Sequence, residues 1–467
     1  MPSKEKRRDD EAPADAPAAS KKNGTGNSSK DAVLWITYTN IVLYALSYQL
    51  QRPVEPYLIQ SLKEKEEAAG ITSSSASVNQ TYGNLQSFFS FCQMFGSPLV
   101  GILLDRIGIR KTSCVVFVAS ALSYAILASA SDLRLLFVSK IPTVFQAAFL
   151  VAQATAATTA GDDAAMRAAA LGRMTTAYTI GATIGPALGG YLAGHGDFYV
   201  GAKLAVAGSL VSAVLSLLFL PDEASASSDS NESSLKKTRT FLDDTRHSGR
   251  ILLRPNIWPL LAVKVIGGVC ASMHSTAIPL VLTQTLRFEP QQLGLVMSFC
   301  MFAVAFFGAF FMAPLTKTLG SFGMMNVGML SRSVLGLVMA GMVTIYASVI
   351  AVDGESSKSD GGLVSVEFVL AQVIAVSILH ALSQHVLATG LTTQTTGNVD
   401  SDEQGALIGM EHSLFSLARI GGPAIGTALL GFGGFLPVEI ACGSIDVLTT
   451  AFLAFALPRS SSKPKGP

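Results

Sequence analysis

Charge is what this chain of 467 residues is short of. Only 14% of its residues are Asp, Glu, Lys or Arg, against about 25% in an average soluble domain. So little charge cannot clothe a water-facing surface of this size. The net charge of +1 leaves no field to attract nucleic acid, so no nucleic-acid partner is expected. Cysteine is scarce as well. Cys92, Cys114, Cys270, Cys300 and Cys442 all lie in apolar segments, with no CxxC pair and no histidine at ligand spacing. That argues against a disulfide framework and against a zinc site. No GxxxxGK[ST] run is present, which disfavours an ATP-driven pump, and the absence of G-x-S-x-G and H-E-x-x-H leaves a membrane hydrolase little basis. No enzyme activity, metal or cofactor is therefore expected. The first thirty residues have no apolar core of the kind a secretory signal requires. They read as a solvated, disordered tail, with insertion directed by the first span.

What the chain has in abundance is apolar length. Hydrophobic residues make up 49% of it and its mean hydropathy is +0.45, which points to lipid as its solvent. A spanning helix needs about 20 apolar residues to cross a layer roughly 30 Å thick. Only helices or closed barrels satisfy their backbones there, and unbroken apolar runs exclude the alternating barrel pattern. Twelve helices are expected, at 32–52, 82–104, 112–130, 133–158, 168–193, 200–220, 257–282, 291–314, 324–350, 363–390, 405–430 and 436–457.

Most of the 33 Lys and Arg fall in the tails and in the loops that follow even-numbered spans. The positive-inside rule then puts both termini in the cytosol. The expected organisation is a tail (1–31), a first six-helix bundle (32–220), a linker (221–256), a second bundle (257–457) and a short tail (458–467). The linker begins with the low-complexity run DEASASSDSNESS. Its second part, LKKTRTFLDDTRHSGRILLRP, fits either a short helix on the inner leaflet or a plain solvated connector. Asn79-Gln80-Thr81 is a glycosylation sequon on the outer side, set so close to the second span that no modification is expected. Asn23, Asn27 and Asn231 match the pattern on the cytosolic side.

The two halves echo each other. Laying Gly185-Pro186 over Gly422-Pro423 also aligns Gly172 with Gly409, Ala187 with Ala424 and Gly189 with Gly426, at one constant offset. Between spans 2 and 3 stands GILLDRIGIRK, with a worn counterpart, APLTKTLGSFG, between spans 8 and 9. Duplicated halves around a cavity are the plan of alternating-access transporters.

GILLDRIGIRK resembles the G-x-L-x-D-R-x-G-x-[RK] loop of the major facilitator superfamily. GATIGPALGG in span 5 resembles that superfamily's antiporter motif, and SKIPTVFQAAFLVAQA with the following RAAALGRM is similar to its organic-cation-transporter-like members near the drug:proton antiporter branch. The resemblance covers about residues 32–457. It implies an all-α membrane protein of twelve transmembrane helices in two pseudo-symmetric bundles.

In the loop, Gly101 and Gly108 allow a tight turn, and Arg106, Arg110 and Lys111 suit an anionic lipid surface. Asp105 gains nothing from that surface. The resemblance implies that this acid docks against the start of span 11, here near Gln404-Gly405-Ala406, where a helix N-terminus favours a carboxylate. Asp105 and Arg106 are expected to form a latch, closed when the cavity faces outward; a topology signal would need the bases alone. In span 5, Gly181, Gly185, Gly189 and Gly190 make a smooth face beside Pro186. That face suits close backbone packing, expected against span 8, and the resemblance ties it to antiport.

Ionisable residues inside spans are costly and mark function. Lys140 stands where relatives carry a base in an R-x-x-Q-G pattern, although Thr143 and Val144 occupy the Gln and Gly places. Arg419 precedes Gly422-Pro423 in span 11. Glu411 lies too far along the same helix to pair with it, so Arg419 needs another partner. Lys264 and His274 on span 7 and His380 and His385 on span 10 belong to helices that line the cavity in this superfamily. Imidazole is the side chain type that titrates near neutral pH unaided, which makes His274 and His380 candidates for proton coupling. Arg52 and Glu55, at the end of span 1 beside Pro53 and Pro56, either line the cavity mouth or meet water. No span is expected to carry repeated carboxylates suited to metal cations.

The expectation is a secondary transporter of small organic solutes, organic cations or drug-like amphipaths, exchanged for protons by alternating access. It would work as a monomer in the lipid bilayer of the plasma membrane or an endomembrane. A facilitator or proton symporter has the same architecture. A non-transporting receptor or scaffold would need no moving halves.

Overall fold

The computed structural model describes residues 24–70, 76–160, 164–221, 253–355, 366–399 and 404–456. The far ends of both tails and most of the expected linker lie outside them. The described residues are helical almost throughout. In chain order the helices are α1 (Gly24–Gln51), α2 (Glu55–Ala68), α3 (Val78–Ala128), α4 (Leu133–Val138), α5 (Ala148–Ala160), α6 (Ala164–Ala193) and α7 (Val200–Phe219). They continue with α8 (Trp258–Leu280), α9 (Pro290–Phe310), α10 (Met312–Glu355), α11 (Val366–Thr396), α12 (Gln404–Gly433) and α13 (Phe435–Ala456).

Ten stretches among the described residues are long and apolar enough to cross a bilayer. The other two expected positions, 32–52 and 168–193, lie on α1 and α6. Both are long helices whose apolar run is diluted by polar residues such as Thr37, Asn40 and Gln49 on α1 and Thr175, Thr176 and Thr179 on α6. Lipid-facing surfaces are apolar: Phe299, Phe302, Phe306 and Phe310 form an exposed stripe along α9, as expected of a helix whose outer solvent is hydrocarbon.

Several expected spans are interrupted for local reasons. Helix α3 contains spans 2 and 3, broken at Gly108 (φ 77°, ψ 173°), and α10 is broken in the same way at Gly320 (φ 65°, ψ 168°). Only glycine adopts such angles without strain. The two loops of matching sequence are therefore matching turns. Span 4 is not one helix. After α4 comes a 3-10 turn, Ile141–Phe145, led by Pro142, and then α5; a proline there withholds a backbone donor. Lys140 sits at this break.

Packing follows a pseudo-twofold plan. Helix α6 lies on α1, and its counterpart α12 lies on α8; across the middle, α6 meets α9 and α12 meets α3. Glycine makes these approaches possible. A Cβ on Gly181 would fall 2.5 Å from the Val42 carbonyl oxygen and one on Gly185 would fall 2.6 Å from Gln49 Cβ. In the second half, Cβ atoms on Gly422 and Gly426 would lie 2.5 Å from Ser272 Cβ and 2.9 Å from Met273 Cα. The expected seam against span 8, which is α9, is met only in part. The Gly181, Gly185 and Gly189 face closes on α1 of its own half, and Gly190 and Pro186 meet Pro290 and Gly294 of α9.

Candidate substrate cavity and its charged walls

The cross-bundle contacts gather toward the face that carries α2. Tyr57 donates to the Phe288 carbonyl, Ser298 Oγ accepts from the Ala187 amide at 2.8 Å, and Gly83 abuts Thr427 and Pro423. Toward the opposite face, which carries the Gly108 and Gly320 turns, Gly101 and Gly172 have open space where a Cβ would point. Arg106 and Lys111 are exposed there, and Arg110 donates from Nε to the Leu217 carbonyl. The side chains of Asp105 and of Gln404-Gly405-Ala406 lie outside the described residues, so the latch contact does too.

Between the bundles lies a cavity of about 400 Å³, within the usual range for drug-sized ligands. Ile278, Val296, Met297, Met301 and Val304 give it greasy walls, and Arg52, His274, Ser377, His380 and His385 give it polar points. Arg52 and Ser275 are shared with a polar chamber of about 20 Å³ between the halves, lined also by Tyr82, Gln86, Ser90, Ser272 and Arg419.

Most ionisable side chains in the spans are paired. In the first half, Lys140 binds Glu55, both buried, and Glu55 also accepts from Gln86 Nε2 at 2.7 Å. The Lys140 ammonium stands 5.7 Å over the Phe89 ring. Glu55 thus lines a packed interior and not a water-filled mouth. In the second half, Lys264 pairs with Glu411 at 2.5 Å, and Glu411 accepts from Thr395 Oγ1 at 2.6 Å. Arg332 on α10 holds Asp446 on α13 through a fork, with Nε to Oδ2 at 2.8 Å, and also donates to Gln384. His274 Nδ1 lies 2.7 Å from Glu439 Oε1, and its ring stacks on His380 with centroids 3.7 Å apart and planes 16° from parallel.

Glu439 and Asp446 are two carboxylates on one span that the sequence reading passed over. They stand seven residues apart on α13, two turns along one face, and that spacing was the available signal. Each is matched by a base from another helix, and tertiary contact alone supplies that match. Gly336 leaves the room that Glu439 fills.

His274, His380 and Glu439 bring three ligand atoms within 4.8 Å of one another, a grouping no sequence spacing foretold. Imidazole lone pairs lie in the ring plane, so two nearly parallel rings aim theirs side by side. Converging on one metal ion would require a ring to turn. A proton shared along His274 and Glu439 fits the observed geometry as it stands.

Arg52 and Arg419 differ from the rest. Neither guanidinium makes a hydrogen bond or an ion pair among the described residues, and both line the same polar chamber. The partner that Arg419 was expected to need is not supplied by the protein's described side chains. The five cysteines are free, and Cys442 Sγ lies 3.6 Å from the Cys270 carbonyl oxygen where α8 and α13 touch.

This arrangement has relatives. Solute carrier family 22 member 18 of Mus musculus is 25% identical over 421 residues, covering 86% of this chain and 90% of its own. Multidrug resistance protein 2 of Bacillus subtilis (strain 168) is 23% identical over 355 residues, covering 75% and 80%. Among solved structures, the human organic anion transporter MFSD10 (TETRAN) aligns over 91% of this chain and 99% of its own, with TM-score 0.58 and 17% identity. The peptide transporter POT in complex with sulfate covers 91% and 94%, with TM-score 0.62 and 15% identity. The profile of the Major Facilitator Superfamily matches residues 37–357. With two mirrored bundles, paired glycine turns and a cavity between the halves, the chain belongs to the Major Facilitator Superfamily and is an integral, multi-pass membrane transporter.

Proposed function

We propose that this protein exchanges a small, amphipathic organic solute for protons, its two bundles (32–220 and 257–457) rocking about the central cavity. The observation that carries the reading is the His274–Glu439 pair, with His380 stacked on it, in the cavity wall. The His274–Glu439 contact can carry a proton, and solute seated in the same cavity competes with the proton for that contact. The groups facing the pair are His380 from α11, Glu439 from α13 and, behind His380, Arg332 from α10 with its partner Asp446. Relatives named as solute carriers and as a multidrug resistance protein support the organic-solute class.

In this reading the arrangement described is sealed on the α2 face, and the Asp105–Arg106 latch closes the opposite face in the other half of the cycle. The termini sit in the cytosol, the carrier acts as a monomer, and glycine-lined seams let the halves slide without leaking. Asp105→Asn is expected to lower turnover while leaving the amount of protein in the membrane unchanged.

The deciding experiment uses purified protein in liposomes with an imposed pH gradient and a panel of amphipathic solutes. Solute flux opposite to proton flux, lost in Glu439→Gln, supports exchange. Co-directional flux makes the protein a symporter, and flux indifferent to the gradient makes it a facilitator.

A further inference from the structure

Each carboxylate described in the bundle interiors already has a base against it, His274 balancing Glu439 only when protonated. Glu55 holds Lys140, Glu411 holds Lys264, Asp446 holds Arg332, and Glu439 holds His274. Two cations are left over, Arg52 from the first half and Arg419 from the second. Both line the polar chamber between the halves, with the hydroxyls of Ser90, Ser272 and Ser275 around them. A guanidinium cannot shed its proton, so each retains its charge in surroundings where an unpaired ion is expensive. At about 20 Å³ the chamber takes a small head group and not a whole solute. Arg52 and Ser275 also border the larger cavity, whose walls are chiefly apolar and whose buried Ser377 hydroxyl has no partner among the described residues.

From this we infer that the transported solute is an organic anion, a carboxylate or similar acid carried on an apolar body. The acid head sits in the small chamber between Arg52 and Arg419, and the body lies against Ile278, Met297 and Met301. An organic cation would have to enter beside two uncompensated guanidinium groups. Because the two arginines belong to opposite halves, the anion bridges the bundles, and its arrival draws them together as its departure frees them. The inference rests on the carrier reading for its account of transport, and binding tests it separately.

The test compares two probes of equal apolar body, 1-naphthaleneacetate and 1-naphthylethylamine, on the full chain in lipid nanodiscs and in liposomes. The unsubstituted protein is expected to bind the carboxylate saturably and at least tenfold more tightly than the amine. Arg52→Gln and Arg419→Gln should each weaken carboxylate binding at least tenfold and leave the amine unaffected, with partial rescue in Arg52→Lys and Arg419→Lys. If a glutamine variant fails to fold, the two-probe comparison on the unsubstituted protein still decides. Tighter binding of the amine, no saturable binding of the carboxylate, or carboxylate binding indifferent to both substitutions overturns the inference. Carboxylate binding without gradient-driven flux would count against the carrier reading and leave the anion site standing. Gradient-driven flux of the amine alone would do the reverse.

Discussion

The two bundles share a backbone plan and differ in what they bury. Both turn at a positive-φ glycine, Gly108 in one and Gly320 in the other, and both lay a Gly-Pro helix on their first helix. Their interiors diverge. Among the described interior residues the first half holds one ion pair, Lys140–Glu55, beside Tyr48, Phe89 and Tyr124. The second holds three acid–base pairs and a stacked pair of histidines. Duplication fixes the scaffold through small residues at helix crossings, where a backbone cannot tolerate change. The polar interior is free to specialise because any pair of matched charges satisfies burial. In the proposed exchange, proton handling falls to the second half and the first shapes the solute's path.

The largest effect is expected from the second half's deepest pair. Arg332→Leu should lower stability by about 3–5 kcal/mol, since it leaves the Asp446 carboxylate buried and unpaired. Adding Asp446→Leu should recover most of that loss, and thermal unfolding in detergent checks both. Recovery would mark this pair as interior structure and set it apart from His274–Glu439.

The shared scaffold can be broken symmetrically. Gly185→Val and Gly422→Val each force a side chain into a neighbouring helix. Each should cost about 1–3 kcal/mol by overpacking, whereas Gly101→Ala, which faces open space, should be neutral. Melting temperatures that fell in only one half would dissolve the symmetry argument.

The functional asymmetry is sharpened by Glu439→Gln. It should cut gradient-driven uptake at least tenfold, about 1.4 kcal/mol, while solute-for-solute exchange without a gradient persists. Glu55→Gln with Lys140→Met should leave the response to the gradient intact. A double variant that abolished it would move coupling to the first half. The smallest effect is reserved for Thr395→Val, which removes one hydrogen bond to Glu411. It should cost about 1 kcal/mol, the usual net worth of one hydrogen bond, because Lys264 still holds the carboxylate; a thermal shift reads the difference.

Much of this was legible in the residues. Apolar runs of spanning length placed the helices because lipid forbids any other way of satisfying a backbone. The glycine turn in GILLDRIGIRK and its worn echo were readable because only glycine tolerates the angles. Lys140, Lys264, His274, His380, Glu411 and Arg419 stood out as charges in oil. Their partners did not. Lys264 and Glu411 are 147 positions apart and His274 and Glu439 are 165, and no periodicity relates positions on helices that meet only after folding. Glu439 and Asp446 were passed over because a carboxylate's meaning depends on the base opposite it. The glycine face of α6 was visible, but the helix it would meet was not, since a smooth face suits any neighbour.

The sequence by itself settled the solvent, the helices, the turns and the kinship of the halves, all consequences of local composition and of what glycine and proline permit. The tertiary structure alone decided which charges neutralise one another, and so which two arginines remain uncompensated, because pairing is a matter of distance between helices and not of order along the chain.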